Sequence, residues 1–293
     1  MRISTILSYI QCSRGFVFAV SMVASSTVMA QEPDKSRYTL TNPTPHELMR
    51  ELSTDRPDKT ESAYTVDAGH FQFEMDFATF TTDRDEDTDL RTETLNLSPI
   101  NLKVGLTNST DLQIVIDSYI RRTVIDRVSG TRSTAEGFGD VTVRLKHNLW
   151  GNDGGRTALA LMPFVKTPTN TNGLGNDAVE FGLIVPLAIA VSDRVGIGLM
   201  TEIDMLEDAD GSGLSPSFVN LATVGFALTD RVGIYAEVFT ERSSEGGATW
   251  VVTFDVGVTY ALTDSIQLDA GVNLGVTDAA DDIALFAGLS RRF

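Results

Sequence analysis

From Gly69 onward the chain alternates between apolar and polar positions. In SIQLDAGVNLGV, residues 265–276, Ile266, Leu268, Ala270, Val272, Leu274 and Val276 form one alternate set. Ser265, Gln267, Asp269, Gly271, Asn273 and Gly275 form the other. Successive side chains leave a pleated backbone on opposite faces, so alternation predicts strands. The same pattern predicts strands over 70–81, 91–106, 111–122, 140–150, 156–167 and 178–190. Six more follow over 194–206, 217–229, 231–242, 249–262, 265–276 and 282–293. No comparable stretch shows a 3.6-residue apolar period, so no helix is expected there. Pro163 and Pro186 interrupt two of these strands, each removing an N–H from the ladder. The apolar parity switches between Leu95-x-Leu97 and Ile100-x-Leu102, which predicts a bulge at Ser98-Pro99.

The connections alternate as well. Short ones fall at 107–110, 151–155, 192–193, 229–230 and 263–264. Mostly longer polar ones read DRDEDTD, RVSGTRSTAEG, PTNTNGLGN, EDADGSGLS, SSEGG and TDAAD. Tight turns at one end and longer loops at the other are the asymmetry of a membrane-spanning barrel, and an even strand count puts both ends of the barrel on the short-turn side. Trp250 and Tyr260 share a face with Val252, Phe254, Val256 and Val258. Ten residues at ~3.3 Å rise and a tilt of ~40° span roughly 25 Å, the height of a lipid-facing band edged by aromatic girdles. The predicted fold is therefore all-β: a transmembrane antiparallel up-and-down β-barrel of about 12 strands over residues 69–293. A soluble sandwich or ligand-binding barrel would also alternate, but it does not predict aromatic residues at both ends of one aliphatic face.

Composition refines this picture in a few places. The chain is 42% hydrophobic, which does not fit a helical membrane protein and leaves soluble and barrel readings equal. Residues 1–30 carry Arg2 and Arg14, a short apolar stretch and a Val28-Met29-Ala30 ending, the pattern of a cleaved secretory signal. Cys12 lies inside it, so no thiol chemistry is expected in the exported chain. Without Arg2 and Arg14 the net charge goes from −17 to −19, a sign that repels nucleic acid.

Residues 31–68 hold four prolines and predict no strand. Thr44-Pro45-His46-Glu47 predicts a helix start, with Leu48 and Leu52 on one face. The stretch ELSTDRPDKTESAYTVDAGHFQFE follows at 51–74, and GFGDVTVRLKHNL (137–149) and LALMPFVKTPTNTNG (159–173) come later. Together these resemble the phenol-degradation (MetA-pathway) transporter family of outer-membrane β-barrel proteins. Asn170-Thr171-Asn172 departs from the shorter Pro-Thr-Gly turn expected of that family. The resemblance implies passage of small solutes, aromatic or hydrophobic compounds among them. Within the signature, Thr54, Asp55, Arg56, Pro57 and Asp58 allow two readings. One is an exposed ion-paired turn at the periplasmic rim; the other is a segment folded into the barrel mouth that partly closes it.

If the apolar faces meet lipid, the inward set includes Glu74, Asp76, Lys103, Asp117, Arg144, Lys146, Lys166 and Glu180. It continues with Glu202, Asp204, Glu237, Asp255, Asp269 and Arg292. The basic members concentrate in strands two to five and the acidic ones in seven to eleven. They set up a transverse field across a wet lumen, or else pair across a filled one. Catalysis is not expected: His70 and His147 are the barrel's histidines, and no motif places a serine beside either. Asp83, Asp85, Asp87 and Asp89 resemble a calcium loop, but Thr88 and Thr94 stand where glycine and glutamate are needed, so no metal and no cofactor is expected. That acidic loop can still share cations with lipopolysaccharide phosphates.

The chain ends on Phe293 in the last alternating strand, which resembles the assembly signal of outer-membrane barrels read by the barrel-assembly machinery. The expected function is an outer-membrane channel or transporter for a small-molecule solute, in contact with outer-membrane lipids and lipopolysaccharide. The rivals are a barrel enzyme acting on lipids and a soluble periplasmic barrel that binds a ligand.

Overall fold

The computed structural model describes residues 34–293. The expected signal sequence lies outside the described residues. Twelve antiparallel staves close into a barrel. They are β1 (Phe71–Asp85), β2 (Leu90–Leu97 and Ile100–Thr107), β3 (Thr110–Ile116 and Tyr119–Asp126) and β4 (Arg132–Gly137 and Val141–Trp150). Then come β5 (Thr157–Thr167), β6 (Glu180–Ser192), β7 (Val195–Glu207), β8 (Leu214–Ala227), β9 (Val232–Ser243), β10 (Val251–Thr263), β11 (Ile266–Gly275) and β12 (Ile283–Arg292). Neighbours in sequence are neighbours in the sheet, and β12 returns to β1 with Arg292 opposite Gln72 and Ile283 opposite Thr82. Closure leaves no free sheet edge along that seam.

The two-part staves are local breaks in one strand. β2 breaks at Ser98-Pro99, where Ser98 takes a φ of 52° and the inward parity flips. Its upper half pairs with β3's upper half and its lower half with β3's lower half. Pro163 and Pro186 stay within their strands, and the ladder yields around them. The β5–β6 pairing is interrupted between Leu159 opposite Leu187 and Met162 opposite Ile184 and resumes in the same register. The β4–β5 pairing is likewise interrupted between His147 opposite Leu161 and Arg144 opposite Phe164. A proline nitrogen has no hydrogen for the ladder, so each gap sits where one is due.

The outward face is mostly apolar, with a few polar residues such as Thr201 and Asn220, which bond each other. On β10, Phe254, Val258 and Tyr260 are exposed outward, and Trp250 precedes the strand. His147 is also on the outward face, with its ring 2.9 Å from the Thr110 hydroxyl. The upper half of β4 lacks a strand on its far side, and the loop at 168–179 takes that place. Thr171 donates its N–H to the Phe138 carbonyl, and buried Asp140 accepts from the Thr169, Asn170 and Asn176 amides.

One expectation is corrected. No two-turn helix follows Thr44: residues His46–Leu48 form a single 3₁₀ turn with no side-chain cap, and Met49 is already extended. Leu48 and Leu52 therefore share no helical face. The reason lies in the next contacts, which pull the chain straight into the barrel.

Candidate functional site

Residues 53–66 have no regular structure, yet they lie inside the barrel lumen, where their backbone amides need partners. The wall supplies them. Glu74 on β1 accepts from the Asp55 and Arg56 amides at 2.9 and 3.1 Å. Glu237 on β9 accepts from the Lys59 and Thr60 amides at 3.0 and 2.9 Å and from the Thr60 hydroxyl at 2.5 Å. Asp111 on β3 takes the Val66 amide, and Asn152, in the turn after β4, takes that of Thr65. Asn148 on β4 donates to the Ala63 carbonyl. An irregular chain is thus held as if it were in a sheet, by inward side chains of opposite walls.

Charge repeats the pattern. Buried Asp55 sits between Lys103 of β2 and Lys146 of β4; the Lys146 ammonium is 2.6 Å away. Burial alone would raise the Asp55 carboxyl, but the two ammonium groups outweigh it and hold it well below the usual carboxylate range. Lys103 also pairs with Glu74. Arg56 reaches Asp269 on β11 at 2.6 Å and Asp76 on β1. It rests on Gly288 of β12, where any side chain would collide with the guanidinium. Lys59 pairs with Asp255 on β10 at 3.1 Å and lies 4.4 Å from the Phe239 ring. Glu61 meets Arg144 on β4 at 2.6 Å. Burial and nearby Asp55 push Glu61 up to about 7 against the pull of Arg144, and burial with Glu237 pushes Asp58 up to about 8.

Below this crossing the segment is pinned to the short-turn end. Arg50 donates to the Asn108 carbonyl, to Asp153 at 3.0 Å and to the Thr65 carbonyl, and pairs with Asp67. Arg292 adds a contact to Asp67 at 3.4 Å. Both ring nitrogens of His70 face backbone carbonyls, those of Thr44 and Phe293, at 2.7 and 2.9 Å. The Phe293 N–H donates to the Phe71 carbonyl across the closing seam, and its ring lies 5.9 Å from that of Phe73.

The inward charged residues therefore divide. Glu74, Asp76, Lys103, Arg144, Lys146, Glu237, Asp255, Asp269 and Arg292 all touch the N-terminal segment. Lys166 pairs with Glu180 at 3.3 Å, and Glu180 takes the Glu207 amide. Asp117 lies at the break in β3, where its carbonyl accepts from Gly139. Glu202 and Asp204 stand on β7 without a cationic partner among the described contacts, and Asp204 is buried.

Two readings need correction. The exposed-turn reading of Thr54-Asp55-Arg56-Pro57-Asp58 fails, because Asp55 is buried and Arg56 and its carboxylates face the lumen. Nor is the inner face uniformly polar: Met162, Ile184, Met200, Val219 and Leu221 form a buried apolar cluster inside β5–β8, with Phe164 and Phe239 against it. β5, β6 and β8 are apolar on both faces, as happens where both faces are covered. Sequence reasoning missed Asp111, Asn148, Asn152, Lys59, Thr60 and Glu61. The signal for the last three was the charge alternation D-R-P-D-K-T-E itself, which complements the inward Lys103, Lys146, Glu237 and Asp255.

Among the described residues no group of three or more His, Cys, Asp or Glu could hold a metal ion.

The chain's fold is that of outer-membrane barrels. An outer membrane channel from Pseudomonas putida F1 superposes with a TM-score of 0.61 at 13% identity, covering 82% of this chain and all of that one. The beta domain of the Bordetella autotransporter BrkA gives 0.50 at 14% identity, covering 76% of this chain and 99% of that one. A comparison with the curated proteins finds no match. Residues 54–293, from the lumen-crossing signature to the closing strand, match the model of the family described as "Putative MetA-pathway of phenol degradation", and the chain belongs to that family.

Proposed function

We propose that the protein is an outer-membrane channel for small solutes, aromatic and other hydrophobic compounds among them, and that residues 53–66 are its plug. One observation carries this reading: a chain segment crosses the lumen of a membrane-type barrel and is held by polar contacts to opposite walls. A purely structural filler has no need of carboxylates as clamps, since apolar packing is at least as stabilising as a buried ion pair. The apolar cluster around Met200 and Leu221 lies on the inner wall and supports an uncharged permeant. The exposed apolar band, edged by Trp150, Trp250 and Tyr260, supports placement in the outer membrane with lipid and lipopolysaccharide as neighbours. The closing strand with Phe293 at its end supports insertion by the barrel-assembly machinery.

A lipid-hydrolysing reading gains nothing from the histidines. His70 has both nitrogens on backbone carbonyls, and His147 faces outward beside Thr110. The reading is therefore passive conduction, with no chemistry of the protein's own. Solute flux into liposomes, with and without Glu237→Leu to release the Lys59–Thr60 clamp, tests it. Flux that rises in the variant supports the reading. Flux that is absent from both overturns it.

A further inference from the structure

The plug fills the lumen unevenly. Towards β12 and β1–β5 it is packed against the wall, with Ala63 against Ala158 and Ala160. Towards β6–β10 it leaves a cavity of about 510 Å³ that extends to the short turn at Ser192-Asp193-Arg194. Pockets of this size hold small organic ligands.

One strip of the cavity's barrel side is bare backbone, among the small side chains of Ala188, Ala190, Thr223 and Thr259. Gly196, Gly225 and Gly233 contribute to its floor, and a Cβ placed on Gly196 or Gly225 would meet nothing within 4 Å. The lane ends at Gly198, over which the Thr60 and Thr223 methyl groups close. Opposite the lane lie Pro57, Asp58 and Tyr64 of the plug. Tyr235 also lines the cavity. Its side chain is buried (8% exposed), and its hydroxyl has one contact, the Pro57 carbonyl at 3.5 Å, too long for a strong bond. Of the charges that line it, Arg56 is matched by Asp269 and Asp76 and Glu61 by Arg144, burial and Glu237 push Asp58 up to about 8, and Asp193 and Arg194 stand exposed to water at the turn.

We propose that this cavity is a holding site for a small, flat, uncharged solute bearing one hydrogen-bonding group, reached from the short-turn end of the barrel. The shape follows from the floor. A backbone lane without side chains admits a planar face into van der Waals contact, and a puckered ring of the same size fits it poorly. The charge follows from the matched edge, because an ion brought in would be buried without a counter-charge. The polar group follows from Tyr235, whose buried hydroxyl gains a proper partner when the site is filled. The site deepens the channel reading and rests on it for its biological sense, although binding itself can be measured without transport.

The test is calorimetric titration of the full chain in detergent, with empty micelles as the blank. Three probes serve: phenol, cyclohexanol and benzoate. Phenol is expected to saturate one site, with cyclohexanol and benzoate weaker by about tenfold or more. Gly225→Leu, whose Cβ enters open space in the lane, is expected to weaken phenol by about tenfold or more while the barrel still shifts on heating in a detergent gel. Tyr235→Phe is expected to weaken phenol but not toluene, a split that mere loss of packing would not produce.

Benzoate binding as tightly as phenol, phenol heats equal to those of empty micelles, or a Gly225→Leu titration identical to the parent would each overturn the site. Flux into liposomes carrying the Glu237→Leu variant, whose plug clamp is released, separates the two ideas. Binding without flux refutes the channel and leaves the site; flux without binding refutes the site and leaves the channel.

Discussion

Asp55 is the point where the plug is most heavily tied, and its removal makes the sharpest perturbation. Its carboxylate accepts from Lys103, from Lys146 at 2.6 Å and from the Ser62 amide at 2.9 Å, all in a buried setting. Asp55→Ala leaves two buried ammonium groups with Glu74 as the one carboxylate still in contact with either. Breaking a buried pair by deleting one partner costs about 3–5 kcal/mol, because the remaining charge stays desolvated. The plugged state alone carries that cost, since a released plug lets water reach both lysines. At about 1.4 kcal/mol per tenfold, the plugged-to-open ratio falls by roughly two to three and a half decades. Planar-bilayer recording of the purified variant is the assay, with the heat-shift gel as proof that the barrel is intact. The expected result is more frequent or sustained openings than in the parent. A variant with an intact barrel and the parent's conductance would refute the argument that this ion cluster holds the plug.

Other consequences follow from the same contacts. Gly288→Leu drives a side chain into the space of the Arg56 guanidinium, so the Arg56 pairs to Asp269 and Asp76 are lost. Overpacking of about 1–3 kcal/mol is expected, read as a lower melting temperature together with raised conductance. Asp58 and Glu61 are both pushed above the ordinary carboxyl range, to about 8 and about 7. They therefore bind protons more tightly folded than unfolded, and stability falls as pH rises from about 4 through these values. The melting temperature in detergent is expected to drop between about pH 4 and about pH 8, and Asp58→Asn with Glu61→Gln to flatten that drop. Lys59→Met keeps the stem near the Phe239 ring but strands Asp255, which is buried. More frequent openings are expected, with partial rescue by Asp255→Asn.

The barrel was legible because each strand has one face to the membrane: alternation marks it, as in residues 265–276, and the turn residues punctuate it. Even the break at Ser98-Pro99 leaves a trace in parity. The plug was not legible in detail, since its partners are remote in sequence. Glu237 takes the amide of Lys59 from 178 residues away, and no periodicity reports such a contact. The proline-flanked cap at Thr44 pointed to a helix on local grounds, and tertiary contacts of Arg50 and Asp67 overrode it. The inner apolar cluster was hidden for another reason. In residues 217–226, SFVNLATVGF, both alternate sets are apolar enough that neither Val219 nor Leu221 stands out as inward.

The most direct test locks the plug in place. Ala63 and Ala158 pack in one cluster between the plug and β5, and the sole cysteine of the sequence is Cys12, so a cysteine pair at 63 and 158 reports on this contact. In the Asp55→Ala background, oxidation of Ala63→Cys/Ala158→Cys is expected to return the conductance to the parent's level, and a reductant to raise it again. If the oxidised and reduced forms conduct alike while the cross-link is complete, the plug does not control the pore.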